Sequence, residues 1–471
     1  MSIEQLSDVR EALRGRMPEH RADLEALVRI PSVSAPGFDP AEVRRAAEAV
    51  RALLDARGFE HAQLLEIEGA HPAVYADWLH AGADAPTVLL YAHHDVQPPG
   101  DPALWTAPPF EPTERDGRLF ARGACDDKAG VMAHVAAVDA WLRACGALPL
   151  NVKVIIEGEE EIGSEHLPGL IGGYADLLRA DVMVIADTVN WKVGVPAITY
   201  LLRGLVDCVV EVRALDHALH SGLYGGPVPD PVTALAKLIA AATDQWGAVA
   251  IPGLGEAREP TEAERARLRA LDFDVAAFRQ EAGLLDGVEL TGDPDLHPLE
   301  KLWLRPNLTV IGLDAPPVAG SSNTIVPSAR ARLSLRLAPG QDPGKAQVLL
   351  CEWLRAHAPW GLRVEVTPGS AGQPFLADPA GPAFQAAGRA LEAAYGHPVV
   401  YAGLGGTIPF IEPFAAAFGG APALLLGVGD PDSRAHGTDE SLHLADWASA
   451  CLGEAYLLAE LAEALDGGAG A

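Results

Sequence analysis

Basic residues are scarce in this chain. Its 471 residues include 35 Lys and Arg but 64 Asp and Glu, which gives a formal net charge of −29 at pH 7. A surface that binds nucleic acid needs clustered Lys and Arg to neutralise phosphates, and no basic stripe with interleaved aromatic residues is found. The composition therefore argues against nucleic acid as a partner. The acidic charge favours solubility and the binding of metal cations.

Paired cysteines and long apolar runs are also lacking. No two cysteines form a C-x-x-C pair, which argues against a disulfide framework or a structural zinc knuckle. The cysteines are Cys125, Cys145, Cys208, Cys351 and Cys451. No apolar run approaches the roughly 20 residues of a membrane span, and residues 1–20 are charged and amphipathic, unlike a signal peptide. We expect a soluble, cytoplasmic protein with no membrane partner.

The pattern of strands and helices predicts an α/β fold. A chain of 471 residues is too long for one compact core, so two domains are expected. Up to about residue 200, apolar strands such as residues 87–96 alternate with helices such as residues 126–146. Buried strands that alternate with helices imply a mostly parallel sheet covered on both faces.

A different pattern begins near residue 201. Residues 201–372 read as strand, helix, strand, strand, helix and strand, which is the ferredoxin-like order, with a helix-rich acidic insertion at roughly 245–300. Residues 373–471 return to α/β character. The sequence therefore predicts one large domain made of residues 1–200 and 373–471, with a smaller α+β domain inserted at 201–372.

Two histidines and an aspartate end the apolar run "LLYAHHDVQP", residues 89–98. Side chains alternate between faces along a strand, so His93 and Asp95 point one way and His94 the other. A metal-ligating histidine often gives its second ring N–H to a carboxylate. His93 with Asp95 fits that arrangement, although a strand that simply ends in polar residues is an alternative.

Further acidic and histidine clusters follow at the ends of predicted elements. They are Asp126 with Asp127, the run "EGEEEIGS" at residues 157–164, Asp187, and His436. Alone, each has an ordinary interpretation, such as a helix N-cap or a solvated loop. Together they collect where open α/β sheets place their sites, at the carboxyl ends of strands.

The number of acidic groups favours two metal ions. Mixed histidine and carboxylate ligands suit zinc or manganese-type metals, and so many acids suggest a pair of ions that share a carboxylate. A two-metal site with a spare glutamate indicates hydrolysis, because the metals lower the pKa of a water and the glutamate takes its proton.

The motifs "HHDVQP", "RGACDDK", "EEIGS", "LHSGLYGG" and "AHGTDE" resemble, in order, those of the dinuclear zinc exopeptidases and deacylases. That family includes carnosine-type cytosolic dipeptidases, glutamate carboxypeptidase, acetylornithine deacetylase and succinyl-diaminopimelate desuccinylase, and the dipeptidase branch is the most similar. The resemblance implies a zinc-exopeptidase catalytic domain whose inserted ferredoxin-like domain acts as a lid and a dimerisation domain. It also implies two divalent metal ions per subunit, with zinc expected and manganese or cobalt as alternatives.

The resemblance assigns a role to each matching residue. The metal ligands would be His93, Asp126, Glu161, Asp187 and His436. Asp126 would bridge the two ions, and its peptide bond to Asp127 would be cis. Asp95 would orient His93, and Glu160 would be the general base.

Four residues outside the metal shell also match. His220 would stabilise the developing oxyanion from the partner subunit of a homodimer, and Arg336 would bind the C-terminal carboxylate of the substrate. Asn323 and Thr407 would contact the substrate.

The chain departs from the family pattern at a few positions. Gly403 and Leu404 stand where dipeptidases often carry Arg-Glu, and Asp439 replaces the usual asparagine. Neither change removes a predicted ligand, but the first removes a charged contact to the substrate.

The expected function is hydrolysis of dipeptides or short peptides that have a free C-terminal carboxylate. An N-acyl-amino-acid deacylase with the same site is the alternative, and a non-catalytic binding relative is the remote one.

Overall fold

The computed structural model describes residues 2–406, 408 and 410–466. The strands are β1 (Glu60–Leu65), β2 (Ala73–Trp78), β3 (Thr87–His93), β4 (Thr113–Arg115), β5 (Arg118–Phe120), β6 (Asn151–Glu157), β7 (Val182–Val189), β8 (Ala197–Leu202), β9 (Gly204–Arg213), β10 (Leu219–His220), β11 (Asn307–Asp314), β12 (Thr324–Ile325), β13 (Ser328–Leu337), β14 (Arg363–Gly372), β15 (Phe375–Leu376), β16 (Val400–Leu404), β17 (Ala423–Gly429) and β18 (Ser441–His443).

The α-helices are α1 (Ile3–Val28), α2 (Pro40–Ala56), α3 (Lys128–Cys145), α4 (Leu167–Gly173), α5 (Ala175–Leu178), α6 (Ser221–Tyr224), α7 (Pro231–Ala241), α8 (Glu262–Ala270), α9 (Val275–Glu281), α10 (Pro298–Leu304), α11 (Pro343–Ala356), α12 (Pro382–Tyr395), α13 (Ile411–Ala417) and α14 (Leu444–Asp466). Within the described part of the chain, no helix is both long and apolar enough to cross a bilayer.

The chain divides into two compact units. The first comprises the described residues of Met1–Tyr200, Ala377–Ala402 and Ile408–Ala471, and the second those of Leu201–Leu376 and Gly403–Thr407. The second unit thus continues four residues beyond the sequence-based boundary at 372, and it takes in the glycine-rich loop that follows β16.

A mixed sheet whose central strands are parallel forms the centre of the first unit. Its strands follow the order β1-β2-β6-β3-β7-β17-β8. The pairs β6–β3, β3–β7 and β7–β17 are parallel, whereas β1, β2 and β8 pair antiparallel with their neighbours. The central strands are almost wholly buried apolar runs, as expected for a sheet covered on both faces. The predicted α/β fold with a largely parallel sheet is confirmed.

Helix α3 lies between other helices and the sheet. It packs against α1, α14 and β3, and every residue from Lys128 to Trp141 is buried. A helix buried all round is an interior helix rather than a surface one. It ends at Gly146, which has a φ of 67°, a left-handed conformation that glycine adopts without steric cost.

The second unit contains a four-stranded antiparallel sheet in the order β11-β13-β9-β14. In sequence, the elements β9, α7, β11, β13, α11 and β14 follow the predicted ferredoxin-like order. Helices α7 and α11 pack on the sheet over a core of valine, leucine and alanine. Strand β11 lies at one edge and exposes Val310, Ile311 and Leu313.

Candidate functional site

The acidic and histidine clusters of the first unit meet at one edge of its sheet. His93 is the last residue of β3 and pairs with Glu157 at the end of the parallel strand β6. Asp187 lies near the end of β7, the other parallel neighbour of β3. The site therefore lies at the carboxyl ends of parallel strands, where open α/β sheets bind ligands.

The ring of His93 faces carboxylates on both sides. Its Nδ1 lies 3.0 Å from the backbone oxygen of Asp95 and 3.4 Å from Asp95 Oδ1. Its Nε2 lies 3.1 Å from Asp126 Oδ1 and 3.8 Å from Asp187 Oδ1. One nitrogen is thus held by Asp95 while the other is directed at the acidic cluster, an orientation typical of a metal-ligating histidine. Asp95 is itself fixed by the hydroxyl of Ser34, which donates to Oδ2 at 2.7 Å.

His94 lies on the opposite side of the strand from His93. Its Nε2 is 2.9 Å from the backbone oxygen of Pro72, and the ring is fully buried. Burial lowers the pKa of His94 to about 4, so the ring is neutral and packs in the interior. The two adjacent histidines therefore have different environments, as alternation along a strand requires.

Asp126 lies between two histidines. Its Oδ1 is 3.1 Å from His93 Nε2, and its Oδ2 is 3.0 Å from His436 Nε2. His436 Nε2 is also 3.2 Å from Glu161 Oε2. One carboxylate with an oxygen directed to each histidine has the arrangement of a shared ligand between two ions. The peptide bond from Asp126 to Asp127 is cis.

Two groups of side chains among the described residues could each hold a metal ion. They are His93 with Asp127 and Asp187, and His93 with Asp126 and Glu161, and within each group the ligand atoms lie within 4.8 Å of one another. Asp127 was not predicted as a ligand. It precedes α3 at the N-cap position, but its side chain makes no capping hydrogen bond. The buried Oδ1 of Asp127 has no hydrogen-bond partner in the described chain. Histidine and carboxylate donors with such a vacant oxygen fit a zinc-type or manganese-type ion.

The electrostatics of the cluster favour bound cations. Burial raises the pKa of Asp127, Asp187 and Glu160 well above the usual range, and neighbouring carboxylates raise it further. Hydrogen bonds that the ring of His436 donates to the carboxylates of Asp126 and Glu161 raise its pKa to about 10. The site thus stabilises cations and disfavours a full set of ionised carboxylates, and bound metal ions would satisfy both tendencies.

Glu160 belongs to neither ligand group. It begins a short 3₁₀ turn, Glu160–Ile162, two residues beyond the end of β6. It therefore lies beside Glu161 but does not share its contact with His436. A carboxylate with a raised pKa beside a metal cluster has the properties of a general base.

Two supporting residues were not found from the sequence. Glu440 is fully buried and accepts from the side chain of Arg122 at 2.5 Å and from the backbone N–H groups of Cys125 and Asp126 at 3.0 Å each. Gln97 donates to Glu161 Oε2 at 2.8 Å. These contacts join distant parts of the chain, so no local pattern indicates them.

The loop that carries His436 is held in an unusual backbone conformation. Arg434, His436 and Asp439 have φ values of 54°, 65° and 55°, in the left-handed region that non-glycine residues seldom adopt. The backbone N–H of Thr106 donates to Asp439 Oδ1 at 2.9 Å. Asp439, which departs from the family pattern, therefore helps to fix this loop.

The second unit carries His220 and Asn323. Strands β10 and β12 bring them together, because His220 pairs with Thr324 and the N–H of Ser221 donates to the oxygen of Asn323 at 2.9 Å. Both residues are exposed. His220 Nδ1 accepts from the N–H of Gly222 at 3.0 Å, so the ring carries a proton on Nε2.

Arg336 also lies in the second unit, half-buried on β13. Its guanidinium makes no hydrogen bond or ion pair with any residue that the structure describes, and it pairs through the backbone with Asn307 of β11. Arg203 donates to Asn307 Oδ1 at 2.7 Å, and burial together with Arg336 lowers the pKa of Arg203 to about 10. A half-buried guanidinium without a carboxylate partner suits an anionic ligand.

The remaining predicted substrate residue, Thr407, lies outside the described residues. Earlier in the same loop, residue 403 is a glycine for a steric reason: a Cβ at this position would lie 2.6 Å from Cγ of Trp303. The ring of Trp303 thus occupies the place of a side chain at this departure from the family pattern.

Comparisons with known proteins show the family to which this chain belongs. Residues 89–460 match the family model "Peptidase family M20/M25/M40". The chain is 38% identical over 377 residues to the cysteinylglycine-S-conjugate dipeptidase of Corynebacterium striatum, covering 80% of this chain and 81% of that one. Among solved structures, the dipeptidase Dug1p of Saccharomyces cerevisiae is 25% identical with a TM-score of 0.82, over 97% of this chain and 98% of that one. Human carnosine dipeptidase 1 is 27% identical with a TM-score of 0.81, over 97% and 99% of the two chains.

The matched range contains the positions of all five predicted metal ligands and of Glu160, and it spans most of the chain. The protein is therefore a member of the peptidase family M20/M25/M40.

Proposed function

We propose that this chain is a metal-dependent dipeptidase that hydrolyses the peptide bond of dipeptides or short peptides with a free C-terminal carboxylate. The observation that carries the proposal is the position of Asp126 between His93 and His436, with Glu160 beside the cluster but in neither ligand group. The curated relatives described above are dipeptidases, which supports a dipeptide as the substrate.

Two divalent ions would be held by five side chains. His93, Asp126 and Asp187 would hold one ion, and Asp126, Glu161 and His436 the other, with zinc as the expected metal and manganese or cobalt as alternatives. When bound, such a pair supplies a Lewis acid for the substrate carbonyl and a water of lowered pKa.

Glu160 would act as the general base. Its carboxylate would accept a proton from the attacking water and later donate that proton to the leaving amine. Asp95 would keep the ring of His93 in the orientation that directs Nε2 towards the cluster, which the contacts on Nδ1 support.

The second unit would supply the substrate contacts. The proton on His220 Nε2, inferred from the bond at Nδ1, makes this ring a donor to the developing oxyanion. Arg336 would bind the C-terminal carboxylate of the substrate, and Asn323 and Thr407 would contact the substrate nearby.

The protein would act in the cytoplasm as a homodimer. Strand β11 supports the dimer, because an edge strand that exposes Val310, Ile311 and Leu313 offers both backbone hydrogen bonds and apolar surface to a second copy. In such a dimer, His220 would act in the site of the partner subunit.

A hydrolysis panel on metal-reconstituted protein tests the reaction. Dipeptides would be mixed with N-acetyl and N-succinyl amino acids, and the products read by mass spectrometry. Preferential cleavage of dipeptides is expected. Preferential cleavage of the acylated amino acids would contradict the proposal and favour the deacylase, and no cleavage of any substrate with two metals bound would favour a non-catalytic role.

A further inference from the structure

The three glutamates at residues 159–161 have different environments. Glu161 contacts His436 and Gln97, and Glu160 lies beside the cluster. Glu159 has only 4% of its surface exposed, and its carboxylate contacts the backbone N–H of His71 and the ring of His166, neither of which belongs to the cluster. Its carboxylate therefore has no part in holding an ion, and its contacts indicate another role.

Glu159 connects the 3₁₀ turn that carries Glu160 to two other segments of the first unit. Its Oε1 accepts from the backbone N–H of His71 at 2.9 Å, and its Oε2 lies 3.0 Å from Nδ1 of His166. The backbone oxygen of the same residue accepts from the N–H groups of Ile162 and Ser164 at 3.2 and 3.0 Å. Glu159 thus starts the 3₁₀ turn that carries Glu160 through its backbone oxygen, and it anchors this turn through its side chain.

The segment that receives Glu159 is itself held in place. His94 Nε2 lies 2.9 Å from the oxygen of Pro72, the neighbour of His71. Gly158, next to Glu159, packs tightly against the same segment, because a Cβ at this position would lie 2.7 Å from Pro72 O and 2.9 Å from the ring of His94. The contacts run without a break from β3, through residues 71–72, to the turn after β6.

We propose that Glu159, anchored by His71 and His166, is a positioning residue that sets the place of the Glu160 carboxylate. This inference rests on the proposed function, in which Glu160 is the general base. A base must lie within hydrogen-bond reach of the proton that it takes, so a turn free to shift would lower the rate of the chemical step. Glu161 lies in the same turn, but it has further contacts of its own, because Gln97 donates to it and His436 lies beside it, so bound metal should be retained.

Replacement of Glu159 by Ala tests the proposal. We expect kcat to fall by about 10- to 100-fold, since a displacement of about 1 Å in catalytic geometry can cost on the order of 100-fold. KM should stay nearly constant, and the protein should still bind two metal ions, as measured by metal analysis after reconstitution. Glu159→Gln should recover most of the rate, because the amide oxygen can still accept from the N–H of His71.

Glu165→Ala is the matched control, because Glu165 belongs to the same segment but is exposed. It should leave kcat unchanged. A kcat for Glu159→Ala within twofold of the wild-type value would overturn the proposal, as would a loss of rate explained by loss of bound metal. Absence of dipeptide hydrolysis by the wild-type protein would instead contradict the proposed function.

His166 provides a second test that needs no change at Glu159. Its side chain is part-exposed, so His166→Ala should fold, and we expect a smaller fall in kcat. The double variant Glu159→Ala with His166→Ala should be no slower than Glu159→Ala alone, because the two side chains act through one contact. Independent, multiplying effects would contradict this part of the inference.

Discussion

The carboxylates of the site differ in what compensates their charge. Asp126 lies 3.0–3.1 Å from the Nε2 atoms of His93 and His436, whereas burial and adjacent acids raise the pKa of Glu160. A carboxylate held between histidines serves as a ligand, and one that readily takes a proton serves as a base. The two environments therefore fit the roles proposed for Asp126 as a ligand and for Glu160 as the base, although both are acids of the same cluster.

Glu160→Gln should lower kcat by about 100- to 10,000-fold, the usual contribution of a general base, because an amide cannot accept the proton. The variant should still bind two metal ions, since Glu160 belongs to neither ligand group. Steady-state kinetics and metal analysis check both expectations. The control is Glu165→Gln, on an exposed residue of the same segment, and substantial activity in Glu160→Gln would remove Glu160 as the base.

Gly403→Ala should destabilise the second unit. The new Cβ would lie 2.6 Å from the ring of Trp303, which is buried with 4% exposure, so we expect a loss of about 1–3 kcal/mol from overpacking. Urea unfolding measures the change. Gly406→Ala is the control, because the nearest atom to its Cβ would be 3.9 Å away. Equal stability of the two variants would contradict the steric role of glycine at 403.

At the scale of elements, prediction from the sequence was best where strands are buried on both faces. The runs that form β3, β6 and β7 are long, apolar and rich in β-branched residues, so they were predicted as strands. Strands β1 and β2 were not predicted. β1 is polar and mostly exposed at the sheet edge, and the apolar run of β2 is interrupted by the buried Asp77, whose partner Tyr75 donates to it at 2.8 Å.

In the candidate site, too, local sequence patterns could be read but contacts between distant parts of the chain could not. The clustering of the proposed ligands could be predicted, because each stands at the end of a recognisable strand or in a motif of the family. Glu440 could not, since its role arises from contacts with residues more than 300 positions away in the chain. Asp127 received no role from the sequence because a helix N-cap offered an adequate local explanation, whereas in the structure its side chain makes no capping bond and belongs to one of the two groups that could hold an ion.

A buried ion pair connects α3 to α14 and should make stability depend on pH. His134 Nδ1 lies 2.6 Å from Glu454 Oε1, and its Nε2 lies 2.9 Å from the oxygen of Tyr91. Burial lowers the pKa of His134, but Glu454 and the backbone oxygen raise it above 6.5 overall. A raised pKa means that this stabilisation is complete below the unfolded value of 6.5 and is lost as pH rises through the folded value.

Replacement of both partners, His134→Leu with Glu454→Leu, should remove this dependence. The free energy of unfolding of the wild type should fall relative to the double variant as pH rises from 6 to 10, in urea titrations at fixed metal concentration. His397→Leu replaces an exposed histidine and is the control. It should leave the change of the free energy of unfolding with pH as it is in the wild type. A difference between wild type and double variant that does not change with pH would contradict the assignment.

At the scale of the whole molecule, the residues assigned to one reaction are divided between two units. The proposed metal ligands and Glu160 belong to the first unit, and His220, Asn323 and Arg336 belong to the second. The family resemblance assigns His220 to the site of the partner subunit, and the exposed edge strand β11 supports a dimer. If both hold, each active site contains residues from two subunits, and a single subunit has no complete site.

Mixing two inactive variants tests this arrangement. In a dimer of His220→Ala and Glu160→Gln chains, the first chain keeps Glu160 and would receive His220 from the partner, so one of the two sites would be complete. Random exchange gives heterodimers for half of the molecules, so we expect about one quarter of the wild-type activity for an isologous dimer. The rate of dipeptide hydrolysis after subunit exchange, verified by mass spectrometry of differently tagged chains, measures the recovery. If exchange is complete and activity does not return, His220 acts within its own chain or has no part in the reaction, and the activity of the His220→Ala variant alone separates these outcomes.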